Sequence, residues 1–140
     1  MASIQQEIWV DAPAEFVWQA LRDVGRIHER LVPGFVTDCR LEGDTRMVTF
    51  GNGLRVSEPI LDVDPVRRRV AWAAVGDPFR HYNASVQAYT ENGGTRLVWI
   101  ADLLPNELTA QVAGMIDVAL HTMKRTLERD AGGAKQGAGA

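Results

Sequence analysis

The sequence contains a single cysteine and no long apolar stretch. Cys39 cannot form an internal disulfide, which is typical of a protein from a reducing compartment. No apolar run approaches the roughly 18–20 residues that a membrane-spanning helix needs. The N-terminus lacks the basic segment and apolar core of a signal peptide. We therefore expect a cytoplasmic protein with no membrane span.

Positive charge is not in excess either. The 15 lysine and arginine residues are outnumbered by 18 aspartate and glutamate residues, which gives a net charge of −3. Because nucleic-acid-binding surfaces are normally basic, we expect no nucleic-acid partner. A length of 140 residues fits one domain with one core. We place that domain at residues 1–130 and expect the Gly/Ala-rich residues 131–140 to form a disordered tail, since they have little apolar surface to bury.

Motifs of catalysis and cofactor binding are also missing. There is no Gly-x-Ser-x-Gly elbow, phosphate-binding loop or dinucleotide fingerprint. His28, His81 and His121 are not spaced as metal ligands, and a metal site needs three or four converging ligands. Cys39 has no evident base beside it, so we interpret it as a small residue on a strand. We expect neither a cofactor nor a metal.

Alternation of apolar and polar residues between Gly, Pro and Asn turns predicts seven strands. They cover Ile4–Val10, Phe35–Leu41, Thr45–Phe50, Leu54–Val63, Arg69–Val75, His81–Thr90 and Thr95–Leu104. Two short helices are predicted between the first and second strands. The other links are short, which favours antiparallel hairpins. Pro59 interrupts its strand, so we expect an edge position or a bulge there.

A long amphipathic helix is predicted from Pro105 to about Glu128. Its apolar residues recur every three or four positions: they are Leu108, Val112, Met115, Ile116, Ala119, Met123 and Leu127. The methionines are flexible and Gly114 and Ala119 are small, so this helix need not pack tightly along its whole length. The simplest arrangement is an α+β fold in which a curved antiparallel sheet wraps around the helix.

Four segments carry a resemblance to a known family. They are Val10–Trp18, Asp62–Arg69, Gly93–Trp99 and Met123–Leu127. Their order resembles the helix-grip fold of the START/Bet v 1-like superfamily, also called SRPBCC, and its polyketide cyclase/dehydrase-like branch most of all. The resemblance covers about residues 3–128. It implies a cavity between the sheet and the C-terminal helix, in which members of the superfamily hold their ligands.

The last hairpin can be registered from its turn. Centring it on Asn92-Gly93 pairs residues that share an apolar face: Val86 with Trp99, Ala88 with Leu97, Ala84 with Ala101, and Tyr82 with Leu103. We expect this face to be the inner one. Its alanines leave space, which is either an open pocket or is filled by the aromatic residues and the helix methionines.

Glu58 is predicted to share a face with Val56 and Ile60. If that face is inner, the carboxylate must be paired or its pKa must rise. A carboxyl group with a pKa near neutrality can act as a general acid or base. The alternatives are an outward Glu58, or an inward one held by a structural arginine, although the sequence shows no clear inward arginine.

Two functions from different classes follow. The first is binding or transport of a small hydrophobic or aromatic ligand, with Glu58 fixing its orientation. The alternative is a polyketide aromatase/cyclase or dehydratase, in which Glu58 or Tyr82 transfers protons. The residues predicted to line the pocket in either case are Val56, Glu58, Ile60, Trp72, Tyr82, Ala84, Val86, Trp99, Ala101, Met115 and Ala119. We expect a monomer or homodimer; an interaction protein with an exposed apolar patch is a third hypothesis.

Overall fold

All the predicted strands and helices form, and the α+β helix-grip arrangement is confirmed. The computed structural model describes residues 1–139, with side chains as far as residue 133. The strands are β1 (Ala2–Val10), β2 (Val36–Glu42), β3 (Thr45–Phe50), β4 (Arg55–Asp64), β5 (Arg69–Ala73), β6 (His81–Glu91) and β7 (Gly94–Leu104). The helices are α1 (Ala14–Arg22), α2 (Ile27–Arg30) and α3 (Thr109–Gly139), preceded by a 3₁₀ turn (Asn106–Leu108).

The seven strands form one antiparallel sheet in the order β1-β7-β6-β5-β4-β3-β2. Strands β2 to β7 are neighbours in sequence and in space, because each link between them is too short for a crossover. The link between β1 and β2 holds α1 and α2, so β1 pairs with β7 and the first two strands become the two edges. No helix within residues 1–139 combines the length and the apolar character needed to cross a membrane.

The register predicted for the last hairpin is confirmed. Val86 lies opposite Trp99, and Ala84 lies opposite Ala101. Asn92 and Gly93 both have positive φ angles, 50° and 76°, as the tight turn requires. The predicted inner face is buried along its length, and the concave side of the sheet therefore carries these residues.

Strand β4 is irregular near its middle. It lies between β3 and β5, and its pairing register shifts between Ile60 and Asp62. Pro59 still pairs with Thr45 of β3, so the irregularity lies just beyond the proline and not at it. Because a bulge bends its strand and increases the local twist, this bulge helps the sheet to curve.

The last helix differs from its prediction at both ends. Pro105 precedes the 3₁₀ turn, and α3 begins at Thr109, whose hydroxyl donates to the Asn106 carbonyl at 2.6 Å. We predicted an end near Glu128 and a disordered tail from residue 131. In the structure α3 runs to Gly139, and Ala131 adds another buried side chain to its stripe; the disordered tail stays a prediction. Ala140 lies outside the described residues.

The C-terminal half of α3 is anchored on the start of the fold. Leu127 is 1% exposed, and the Glu128 carboxylate accepts hydrogen bonds at 2.8 Å from the Asp11 N–H and the Lys124 ammonium. Buried Thr95 ties β7 to the α1 end of β1 by donating to the Ala12 carbonyl at 2.7 Å. These contacts fix one end of the helix, and its first half is left to cover the concave face of the sheet.

Candidate functional site

A cavity of about 160 Å³ lies between the concave face of the sheet and the first half of α3. Strands β3 to β7 supply its floor, and α3 supplies its roof through side chains that include Val112, Met115 and Ile116. The walls are almost entirely apolar. A space with this lining has the composition of a binding site for small apolar molecules.

Most of the residues predicted to line a pocket do line this cavity. They are Val56, Glu58, Trp72, Tyr82, Val86, Trp99, Met115 and Ala119. Ile60, Ala84 and Ala101 do not. Ala84 and Ala101 are buried in the core, at 5% and 0% exposure, and Ile60 packs against the core beside the β4 bulge. Gly114, predicted to loosen the helix roof, faces solvent.

A buried ion pair forms the polar part of the cavity wall. Arg46 on β3 and Glu58 on β4 are direct cross-strand partners, with the guanidinium Nε 2.7 Å from the carboxylate Oε1. Both are buried, at 4% and 8% exposure. Arg46 also donates to the Val24 carbonyl at 3.4 Å and lies 5.0 Å from the ring centroid of Trp72. The guanidinium therefore has three favourable contacts: the Glu58 carboxylate, the Val24 carbonyl and the Trp72 ring.

The absence of an inward arginine, inferred from the sequence, is wrong. The turn Gly51–Gly53 contains the signal that would have revealed Arg46. Centring this turn on Asn52, as was done for the last hairpin, pairs Glu58 with Arg46 and places both on the face of Val48. A charged residue between apolar ones on a strand usually faces water, so alternation along β3 alone does not indicate an inward Arg46.

The pair decides between the alternatives left open for Glu58. Burial raises the pKa of the Glu58 carboxyl, and the adjacent Arg46 guanidinium opposes that rise. The side chain points inward and is held by an arginine. A proton on Glu58 would weaken a short charge-assisted hydrogen bond, so the carboxylate can serve as a base only by giving up part of its contact with Arg46.

Aromatic residues surround the ion pair. Trp72 and Trp99 meet edge to face with ring centroids 5.3 Å apart, and Phe79 packs on Tyr82 at 4.9 Å. Burial raises the pKa of Tyr82 well above its usual value, and the charge of Glu58 contributes to the rise. The Tyr82 hydroxyl therefore keeps its proton at neutral pH and is a donor, not a base.

The cavity meets solvent beside the β3–β4 turn and the β5–β6 link. Leu54 in the turn is 48% exposed and also lines the cavity, as does exposed Pro78 in the link. Phe35 and Phe50 stand at the same end, with ring centroids 5.6 Å apart. Sequence reasoning did not include these phenylalanines, although Phe50 alternates with Arg46 and Val48 along β3.

The other reactive side chains lie away from the cavity. His28, His81 and His121 are not part of its lining, and residues 1–139 contain no group of three or more potential metal ligands. Cys39 is buried with its Sγ 3.7 Å from the Val24 carbonyl, and burial raises the pKa of its thiol. The polar groups available in the cavity are therefore those of Arg46, Glu58, Tyr82, Gln111 and the tryptophans.

Comparisons with known proteins agree with this architecture. A structure from Bacillus thuringiensis, described as a putative uncharacterized protein, has a TM-score of 0.80 at 16% identity, and the match covers 90% of this chain and 98% of that chain. A protein from Thermobifida fusca has a TM-score of 0.75 at 22% identity, with 94% of each chain covered. The structure of Ara h 8.0201 has a TM-score of 0.72 at 14% identity, with 90% of this chain and 97% of that one covered. Likenesses at these identities show the fold.

The sequence itself is matched at the level of a family. None of the curated proteins matches it significantly. The family described as polyketide cyclase/dehydrase and lipid transport matches residues 1–128, which is the part of the chain from β1 through the anchored half of α3. By this match and by its helix-grip fold, the chain belongs to the polyketide cyclase/dehydrase and lipid transport family.

Proposed function

We propose that the protein binds, and carries, a small apolar or aromatic molecule in the cavity under α3. The observation that supports this most strongly is the cavity lining: aliphatic and aromatic side chains cover it except at the Arg46–Glu58 pair and Gln111. An apolar ligand gains about 25 cal/mol for each Å² that it withdraws from water. Membership of a family associated with lipid transport is consistent with such a ligand.

The volume of the cavity sets the size of the ligand. An engineered apolar cavity of about 150 Å³ in another protein accepts benzene, so a cavity of about 160 Å³ suits one aromatic ring with a short substituent. Met115 and Met123 line the cavity from α3. Because methionine side chains change rotamer readily, a longer ligand is accommodated by moving these two residues.

Titration with ethylbenzene tests this proposal, using calorimetry or the tryptophan fluorescence. Ala119→Leu fills part of the cavity from the helix side and should weaken binding at least tenfold. Ala110→Leu adds the same side chain to an exposed position of α3 and is the matched control, with binding expected within twofold of the wild type. If neither ethylbenzene nor a longer alkylbenzene binds to the folded protein, the proposal is wrong.

A second candidate function is proton transfer to a ketone-containing substrate, as in a polyketide aromatase/cyclase or dehydratase. The supporting observation is that Glu58 and Tyr82 both reach the cavity, with Arg46 beside Glu58. Tyr82 would act as a general acid, and Glu58 would accept a proton as its contact with Arg46 loosens. Positioned acid–base groups usually contribute a factor of about 10²–10⁴ to a rate.

Enolisation of benzoylacetone, followed by its ultraviolet absorbance, separates the two candidates. A proton-transfer enzyme should accelerate the reaction over buffer, and Glu58→Gln and Tyr82→Phe should each remove most of that acceleration while the fold persists by circular dichroism. A rate equal to that in buffer, together with measurable ethylbenzene binding, would exclude the enzyme function and support the carrier function.

A further inference from the structure

One hydrogen-bond donor in the cavity wall has no acceptor. Trp99 is 9% exposed, and its Nε1–H makes no hydrogen bond to the part of the chain that the structure describes. A buried donor without an acceptor is costly, and more than nine-tenths of buried polar groups are satisfied. Because indole nitrogen can only donate, the group that satisfies it has to be an acceptor.

A second donor lies beside the first. No hydrogen bond joins the Tyr82 hydroxyl to the Trp99 indole nitrogen, which has no partner in the described part of the chain. Tyr82 lines the same cavity and is 8% exposed. The two side chains belong to neighbouring strands, and both project from the concave face. The wall of one cavity therefore carries both donors.

We propose that the ligand carries one neutral acceptor oxygen, of the ketone, aldehyde or ester carbonyl type, which Trp99 and Tyr82 bind together. This inference rests on the proposed binding function and names its ligand class. The ligand's apolar body lies under Met115 and Ala119, and its carbonyl group reaches the aromatic end of the cavity.

The charges nearby favour a neutral oxygen over a carboxylate. The positive charge of Arg46 is neutralised by Glu58 at 2.7 Å, so the pair offers no net positive charge to an anion. Glu58 lines the same cavity as Tyr82, and its charge adds to the effect of burial in raising the pKa of the hydroxyl. A ligand carboxylate at the two donors would be repelled by Glu58 and would lose its hydration without a cation in return.

Acetophenone and ethylbenzene provide the test, because they differ mainly by a carbonyl in place of a methylene. The measured quantity is the ratio of their dissociation constants, which cancels most of each variant's general effect on the cavity. In Tyr82→Phe the preference for acetophenone should fall about three- to tenfold, the usual effect of one hydrogen bond. Tyr89→Phe, on the exposed side of the same strand, is the matched control and should leave the ratio unchanged.

The indole N–H signal of Trp99 provides an independent readout in a ¹H–¹⁵N spectrum, and Trp99→Phe assigns it. Acetophenone should move this signal downfield, and ethylbenzene should leave it nearly in place. If both compounds bind but the ratio is unchanged in Tyr82→Phe, or the indole signal does not distinguish them, this inference is wrong and the carrier function stands. Tighter binding of benzoate than of acetophenone would also overturn it. If none of the three compounds binds, the proposed function itself fails.

Discussion

Replacing Arg46 with methionine would leave the Glu58 carboxylate buried without its partner. Methionine has a similar length and packs against the cavity wall, so the main change is the loss of the guanidinium. Removing one member of a buried ion pair typically costs about 3–5 kcal/mol, because the remaining charge stays out of water. A domain of this size is stable by about 5–15 kcal/mol, so Arg46→Met should lose a large fraction of the total.

The loss should depend on pH in a definite direction. Without Arg46, nothing opposes the effect of burial, and the pKa of Glu58 in the folded variant lies well above the value of about 4.3 of the unfolded chain. Below that unfolded value the carboxyl is protonated in both states, and the charge penalty disappears. As the pH rises through the folded pKa, the penalty develops fully. The variant should therefore be much closer to the wild type at pH 4 than at pH 7.

Urea unfolding at the two pH values, followed by circular dichroism, measures both effects. The double variant Arg46→Met/Glu58→Leu should recover most of the stability at pH 7, since an apolar pair replaces the ionic one. Arg40→Met is the control, because the Arg40–Glu42 pair on β2 is 71% and 59% exposed and should change stability by less than about 0.5 kcal/mol. A loss below about 1 kcal/mol at pH 7 for Arg46→Met would contradict the predicted cost of leaving Glu58 unpaired. A loss at pH 4 as large as that at pH 7 would contradict it as well.

Three further predictions concern the frame around the cavity. Thr95→Val should lower the free energy of unfolding by about 1–2 kcal/mol, because it removes the hydroxyl that donates to the Ala12 carbonyl at 2.7 Å. An unchanged midpoint in thermal unfolding would contradict this prediction. Gly114→Ala should raise the free energy of unfolding by about 0.5–1 kcal/mol, since the added Cβ meets no atom within 4 Å and alanine favours helix. Destabilisation would mean that Gly114 does not lie on the open surface of α3. Burial acts to raise the pKa of Glu128, but hydrogen bonds from Lys124 and Asp11 lower it overall. Glu128→Gln should therefore destabilise the protein at neutral pH and progressively less as acid protonates Glu128 in the wild type; a loss independent of pH would exclude this role.

The parts of the fold set by local turns could be predicted from the sequence. Asn92-Gly93 permits essentially one tight hairpin turn, and a two-residue turn fixes every pair along its strands. That register predicts Tyr82, Val86 and Trp99 on the concave face, where the structure has them. Helical periodicity likewise placed Met115 and Ala119 over the sheet.

The rest depends on contacts that local patterns do not encode. The bulge in β4 changes the surroundings of Ile60, because one extra residue shifts the strand relative to β5. Ala84 and Ala101 are buried in the core but do not line the cavity. The Gly51–Gly53 turn sets Arg46 opposite Glu58 and on the face of Val48, but the stability of this buried pair depends on contacts around the whole cavity.

The most direct test of the carrier function uses the four methionines of the chain. Met115 and Met123 line the cavity, whereas Met1 and Met47 do not, so the protein contains its own controls. Ethylbenzene is titrated into protein labelled with ¹³C in the methionine methyl groups. Binding in the cavity should produce shifts and intermolecular nuclear Overhauser effects at Met115 and Met123, with the other two methyl signals unchanged. Equal small shifts at all four, or contacts at Met1 and Met47 alone, would contradict binding in the cavity.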